Sequence, residues 1–293
     1  MDPIAPRPLR NFLVLAADSF SLVKRNVHSL ALISVIPLVF IGAATAAFSS
    51  AEHGGDFGLA SVVSIIGVFC ILGTMFFKVL FPLVIIRAIG AADAEPSASA
   101  DLNAVDLYRK SFADFWPYLL VAVLLCFLIL FGLFVAVIPG IIAALYFGFA
   151  LFAYAFEGKR GVDALISSAW LVRGRLLPVF QRLISGALLA GIAMLIAAIV
   201  LQLAFFHSGF GDSVVKFVLD LLVAMFIMPF AYAYGYFMYR DLSAGAGSQI
   251  DPAFAKKAKK WLTALAAIGA VLLAVFPILL GILMVSGKLL ITS

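Results

Sequence analysis

Long apolar runs separated by short charged segments constrain this chain more than any other feature. The run from Leu59 to Ile89 exceeds the about 20 residues that a helix needs to cross the hydrocarbon core of a bilayer. The chain of 293 residues is 65% hydrophobic and 12% charged, with a mean hydropathy of +1.18. Soluble domains average about 45–50% apolar residues, so a water-soluble fold cannot bury this surface. The sequence therefore predicts an integral membrane protein.

Within lipid, only helices and closed barrels satisfy every backbone polar group. Strict two-residue alternation, which a barrel strand needs, is absent. We therefore predict an all-α, polytopic transmembrane bundle in one domain, 1–293. The seven expected spans are 27–48, 59–89, 116–137, 141–156, 183–206, 214–239 and 261–285.

Three amphipathic segments with helical spacing are expected to lie in the headgroup layer. They are 9–24, a segment beginning near Val105, and a segment beginning at Val162. Each is accompanied by basic residues and followed by two apolar runs, which indicates repeated helix-plus-hairpin units. The lysine cluster 256–260 opens a truncated fourth unit.

Proline positions make two local predictions. Pro37 lies inside the first span, so a neighbour must satisfy the carbonyl that it frees if the helix is to continue. The sequence Ile138-Pro139-Gly140 is expected to form a tight turn between the third and fourth spans.

The distribution of charge predicts topology rather than a nucleic-acid partner. The net charge is +5, but the basic residues lie at the ends of apolar runs. With the N-terminus in the cytoplasm, all but three of the 20 Lys and Arg residues fall on cytoplasmic segments, as the positive-inside rule requires. The first apolar run is longer and starts later than is usual in a signal peptide, so we expect no cleavage there.

Motifs for catalysis or metal binding are weak. The string Gly209-Phe210-Gly211-Asp212 matches the GxGD of intramembrane aspartyl proteases, but its aspartate lies in a predicted outer loop and no span supplies an obvious intramembrane partner for the carboxylate pair that this chemistry needs. Zinc-hydrolase, serine-hydrolase and P-loop motifs are absent from the sequence. The histidines are scattered, and the two cysteines lie inside apolar runs. We therefore expect no enzyme activity, no cofactor and no metal.

Two sets of charged residues are candidates for function. The first is a cytoplasmic cluster whose arginine forks would suit the phosphate of an anionic lipid. It consists of Glu157, Lys159, Arg160, Arg173, Arg175 and Arg182. The second set lies within the spans, where charges are costly: Lys78, and the pair Lys216 and Asp220 at helical spacing. The ordinary interpretations are topology signals for the first set, and snorkelling or a structural ion pair for the second.

The stretch from Ile138 to Arg182 resembles a known bacterial family. Its Pro-Gly turn, short aromatic run, Glu157-Gly158-Lys159 elbow and Leu171-Val172-Arg173-Gly174 segment are similar to the membrane domain beside some glycerophosphodiester phosphodiesterases, and to related stand-alone inner-membrane proteins. The resemblance implies a bacterial inner-membrane protein in lipid or envelope homeostasis. No soluble phosphodiesterase barrel is present, so that activity does not carry over.

The sequence thus favours a non-enzymatic membrane protein that binds anionic phospholipid or a protein partner, which could be a second copy. The alternative is a transporter or channel, suggested by the repeat, the prolines in spans and the Lys216/Asp220 pair. An intramembrane enzyme is the third and weakest hypothesis.

Overall fold

The computed structural model describes residues 10–53, 57–94, 103–205, 218–245 and 250–265. All regular structure in these ranges is helical, which confirms the predicted all-α class. The elements are α1 (Phe12–Arg25), α2 (Val27–His53), α3 (Phe57–Ala94), α4 (Ala104–Ala113), α5 (Phe115–Val135), α6 (Val137–Phe147), α7 (Ala150–Glu157), α8 (Val162–Val172), α9 (Leu176–Phe205), a π-helical turn (Val223–Ile227), α10 (Met228–Gly245) and α11 (252–265).

Six stretches in the described ranges are long and apolar enough to cross a membrane. They are Val27–Ala44, Ser64–Ala94, Phe115–Phe134, Val137–Glu157, Leu176–Leu203 and Val218–Gly245. Six of the seven predicted spans are thereby matched, and the architecture is that of a multi-pass membrane protein. Most of the seventh, 261–285, lies outside the described residues.

Contacts within the chain divide it into two compact units. Unit 1 comprises Met1–Trp116 and Leu177–Gly245, and therefore contains α1 to α4, α9 and α10. Unit 2 comprises Pro117–Leu176 and Ala246–Ser293, which contain most of α5, all of α6 to α8, and α11.

One half of α3 lies at the centre of the core of unit 1. This helix has 38 residues and is about 57 Å long, well beyond the roughly 30 Å of hydrocarbon. From Leu80 to Ala92 it is buried on nearly all sides, with α2, α10, α1 and α4 packed against it. In its other half, large apolar side chains such as Phe69 and Met75 are exposed. The helix thus changes from a lipid-facing span to a protein core along its length.

Helix α2 continues through Pro37, and a side chain from α4 explains how. Proline lacks an N–H, so the carbonyl four residues earlier, that of Ile33, loses its helical donor. The hydroxyl of Tyr108 donates to this Ile33 oxygen at 2.9 Å, and both residues are buried. The requirement stated for Pro37 is therefore met. Burial raises the pKa of the Tyr108 phenol, because the phenolate would lose its hydration.

A double-mutant cycle tests this contact. Tyr108→Phe leaves the Ile33 carbonyl without its donor and should lower the free energy of unfolding by about 1–3 kcal/mol. In a Pro37→Ala background the helix regains its own N–H donor, so the same Tyr108→Phe change should cost clearly less. Unfolding in a denaturing detergent titration measures both differences. Equal costs in the two backgrounds would contradict the assignment.

The same tyrosine predicts a dependence on pH. Because the folded-state pKa is raised above the usual value of about 10, the folded protein holds the phenol proton more tightly than the unfolded chain. The contribution is fully present below about pH 10 and is lost as the pH rises above it. Unfolding titrations between pH 9 and 11 should show a steeper alkaline loss for the wild type than for Tyr108→Phe.

In unit 2, the turn between the third and fourth spans is not where the Pro-Gly sequence placed it. The extended residue is Ala136 (φ −170°, ψ 161°), and α6 begins at Val137. Pro139 therefore lies in the first helical turn, where its missing N–H costs nothing. Gly140 instead permits a close approach, because a Cβ there would lie 2.7 Å from the backbone nitrogen of Leu133. The prediction of a tight Ile138-Pro139-Gly140 turn was wrong.

The predicted fourth span is broken between α6 and α7, at residues 148–149. The buried hydroxyl of Ser168 in α8 repairs the break, since it donates to the Tyr146 carbonyl at 2.7 Å and accepts from the Phe149 N–H at 3.1 Å. Helix α8 matches the predicted segment at Val162, but it is buried on both faces rather than on one apolar stripe. Its polar Ser167 and Ser168 are as buried as Leu165.

Ser168→Ala should therefore destabilise unit 2 by about 2 kcal/mol, because it leaves a backbone donor and an acceptor unpaired in a buried place. Ser185→Ala is the matched control: its partly exposed hydroxyl donates only to the Gln181 carbonyl of its own helix. Thermal unfolding of the purified protein in detergent compares the two. Similar melting temperatures for both variants would show that Ser168 does not hold the break.

Candidate functional site

The elbow between α7 and α8 is formed by two glycines in left-handed conformations, Gly158 (φ 65°) and Gly161 (φ 54°). Such backbone angles strain other residues. Across the elbow, the Lys159 ammonium lies 2.6 Å from the Glu157 carboxylate, and both bond to the Ser167 hydroxyl at 2.9 Å. These two predicted site residues therefore satisfy each other. Arg160 beside them is exposed.

Arg173 caps the end of α8, where a cation is favoured by the helix dipole. Its guanidinium carbon lies 4.9 Å from the ring centre of Phe254 and 5.5 Å from that of Trp170. The two rings also contact each other, with centroids 5.4 Å apart. Cation–π contacts of this kind fix the direction of an arginine without neutralising its charge.

Helix α11 is anchored against α8 at this place. The Asp251 carboxylate accepts from the Ala253 N–H at 2.9 Å, which caps the start of the helix. Lys259 of α11 also forms an exposed ion pair of 3.2 Å with Asp163 of α8. Together with the Trp170 and Phe254 rings, these contacts hold the two helices side by side.

A cavity of about 500 Å³ opens at this junction in unit 2. Two cations, one carboxylate and two aromatic rings line it, with two alanines: Arg173, Lys257, Asp251, Phe254, Trp261, Ala253 and Ala258. Lys257 and Trp261 are four residues apart and share a face of α11. The Trp261 side chain is 65% exposed, so the cavity is open to a ligand from outside.

Arg182 lies in unit 1, whereas the other five members of the predicted cluster lie in unit 2. Its side chain donates to the Arg10 carbonyl at 2.9 Å and to the Pro178 carbonyl at 3.0 Å. Its own carbonyl accepts from the Tyr234 hydroxyl at 2.8 Å. Arg182 thus ties the start of α1 to α9 and α10. Arg175 is half-buried and is not part of the cavity lining.

Unit 1 also contains a network of paired charges, which includes Arg10. Arg10 bridges Asp241, at 2.8 Å, and Asp18, at 2.6 Å. The hydrogen bond to Asp241 raises the pKa of the Arg10 guanidinium, and burial opposes the rise. Arg240 pairs with Asp93, which also accepts from the Tyr236 hydroxyl at 2.9 Å. Arg10 and Arg240 thus hold helices together through ion pairs with aspartates of unit 1.

The charges predicted within the spans do not assemble into a site. Lys78 and Asp220 are both exposed, and neither forms an ion pair with a described residue. Lys216 and the string 209–212 lie outside the described residues. Across the described ranges, no group of three or more His, Cys, Asp or Glu side chains could hold a metal ion.

Comparison with protein-family models, with curated proteins and with solved structures gives no match for this chain. Of the predicted cluster, only Arg173 reaches the cavity. Sequence reasoning missed Asp251, Phe254, Lys257 and Trp261 as site residues, although it placed the lysine cluster 256–260 at the start of the fourth unit.

Arg182→Ala should act on stability rather than on ligand binding. It removes two bonds to backbone carbonyls, so we expect a loss of about 1 kcal/mol in unfolding free energy and faster amide exchange in α1. Arg160→Ala, which removes an exposed side chain that bonds no described residue, is the control for charge. Hydrogen exchange in α1 that is the same in both variants would contradict the structural role of Arg182.

Proposed function

We propose that this chain is a non-enzymatic multi-pass membrane protein that binds the headgroup of an anionic phospholipid in the Arg173 cavity. One observation carries the proposal: the Arg173 guanidinium is held by two rings at the rim of a cavity that also presents Lys257 and Trp261.

The chemistry of the lining suits a lipid phosphate. A guanidinium offers paired donors to phosphate oxygens, and a lysine adds a mobile point charge. Tryptophan is enriched at membrane interfaces, where its ring packs on acyl chains and its N–H reaches the headgroups. The two cations outnumber the one carboxylate, Asp251, so the lining favours a net negative ligand. Basic pockets between helices bind anionic headgroups in this way.

With the N-terminus in the cytoplasm, as the basic residues predict, the cavity faces the cytoplasmic leaflet. The resemblance of Ile138–Arg182 to the phosphodiesterase-associated membrane domain supports a bacterial inner membrane and a role in lipid or envelope homeostasis. A second copy or another membrane protein as partner stays a prediction of the sequence.

Transport of a small molecule, a lipid or an ion is the alternative that the sequence raised. The argument from prolines loses weight at Pro37 and Pro82, because α2 and α3 continue through these residues rather than breaking at them. Asp220 lies exposed on its helix, away from any described ion partner. No feature of the described residues favours transport over headgroup binding.

Lipid retention measured by native mass spectrometry tests the proposal. The wild type and Arg173→Ala/Lys257→Ala are purified in mild detergent and titrated with phosphatidylglycerol or phosphatidylcholine. Each cation near an anionic lipid is worth about 1 kcal/mol, so the double variant should bind phosphatidylglycerol about 30-fold more weakly. Phosphatidylcholine should bind weakly to both proteins.

Arg160→Ala/Lys256→Ala is the matched control, since it removes the same net charge from exposed positions of unit 2 that do not line the cavity. It should bind phosphatidylglycerol like the wild type. Equal weakening in both double variants would show that only overall charge matters. Undiminished binding in Arg173→Ala/Lys257→Ala would overturn the site, as would a wild-type preference for phosphatidylcholine.

A further inference from the structure

A second cavity, in unit 1, has a different chemistry. Its volume is about 360 Å³, within the range of small-molecule sites. Four elements enclose it: α1 with Phe20 and Val23, α9 with Ala190 and Ala193, the π-helical turn with Phe226, and α10 with Phe230. None of its lining side chains carries a polar atom.

Water is a poor occupant of this cavity, because a buried water needs two to four polar partners. Hydrocarbon is available at its wall, since only 6% of the span Leu176–Leu203 is buried within the protein. In a bilayer, the exposed face of α9 is covered by lipid tails, which therefore reach the cavity.

A helix irregularity creates the space. Pro229 would clash with the carbonyl four residues earlier in a regular α-helix, and the chain before it widens into the π-helical turn Val223–Ile227. Phe226 and Ile227 of this turn form one wall. Ala16, Ala190 and Ala193 also line the cavity, and their small side chains leave space in it.

The end of α1 beside the cavity is basic. Lys24 and Arg25 directly follow Val23 of the lining and are exposed, and the Arg25 guanidinium donates to the Ala92 carbonyl at 3.3 Å. An amphipathic helix such as α1 lies at the boundary between headgroups and acyl chains. An anionic headgroup at Lys24 would therefore be at the depth from which its own acyl chain enters the cavity.

We propose that this cavity holds one acyl chain of an anionic phospholipid whose headgroup lies at Lys24. The site shares no residue with the Arg173 cavity and does not depend on the function proposed for it. The occupant is a lipid tail because the walls are wholly apolar, the neighbouring span is open to the bilayer, and the adjacent charges complement a phosphate.

Photo-cross-linking tests this assignment. The full chain is reconstituted in vesicles that contain phosphatidylglycerol with a diazirine on its acyl chain, and adducts are mapped by mass spectrometry. Adducts should concentrate on peptides that contain Phe20, Phe226 or Phe230. Ala193→Phe places a ring in the cavity and should reduce these adducts about tenfold.

Ala187→Phe is the matched control, because Ala187 lines a shallow depression on another face of α9. It should leave the adducts unchanged, as should Arg173→Ala/Lys257→Ala. Lys24→Ala should reduce them when the probe is phosphatidylglycerol. If Ala193→Phe does not fold, Ala190→Leu replaces it.

The positions of the adducts on the wild-type protein already test whether the acyl chain enters the cavity. Adducts spread evenly over the outer face of α9, at Ile184, Leu188 and Ile192, would show only annular lipid and overturn the proposal. Adducts at the cavity that survive in the folded filling variant would also overturn it. Undiminished phosphatidylglycerol binding in Arg173→Ala/Lys257→Ala, together with intact adducts here that Ala193→Phe reduces, would refute the proposed function alone.

Discussion

The need to pair backbone polar groups away from water governs this structure. An unpaired N–H or C=O in a lipid environment costs several kcal/mol, so each break in a helix requires a partner from elsewhere in the chain. Tyr108 supplies it for the Ile33 carbonyl beneath Pro37, and Ser168 supplies it for the break between α6 and α7. The short helices α4 and α8, which the sequence predicted to lie at the membrane surface, thus carry the side chains that pair backbone groups of the spans.

This requirement explains why α8 is buried on both sides. A helix that lay only on the membrane surface would expose its serines to headgroups, but Ser168 must reach the interior of the α6–α7 break. Ser167 similarly bonds the Glu157 and Lys159 pair. The polar residues of α8 point inward because their partners are there.

The pairing of polar groups also divides the charged side chains into two kinds. Some are bonded to carboxylates or carbonyls of the protein, and others are not. Arg10, Arg240 and Arg182 are engaged by carboxylates or carbonyls of unit 1, and Lys159 by Glu157. Arg173 differs because its contacts with Phe254 and Trp170 are aromatic, so no carboxylate or carbonyl of the described residues occupies its donors. In unit 1, the apolar cavity beside Phe226 has walls without polar side chains, which suit a lipid tail.

The sequence by itself determined the all-α class, the approximate positions of six spans and the presence of short helices near Phe12, Val105 and Val162. Hydrophobic periodicity and the thickness of a bilayer decide these features locally. It also identified Pro37 as a place that needs a donor. Only the tertiary structure decided that Tyr108 is this donor, that the turn lies at Ala136, and that Arg173 and Lys257 line one cavity. Pairing of side chains distant along the chain depends on how helices pack, and charge and hydropathy patterns carry no information about it.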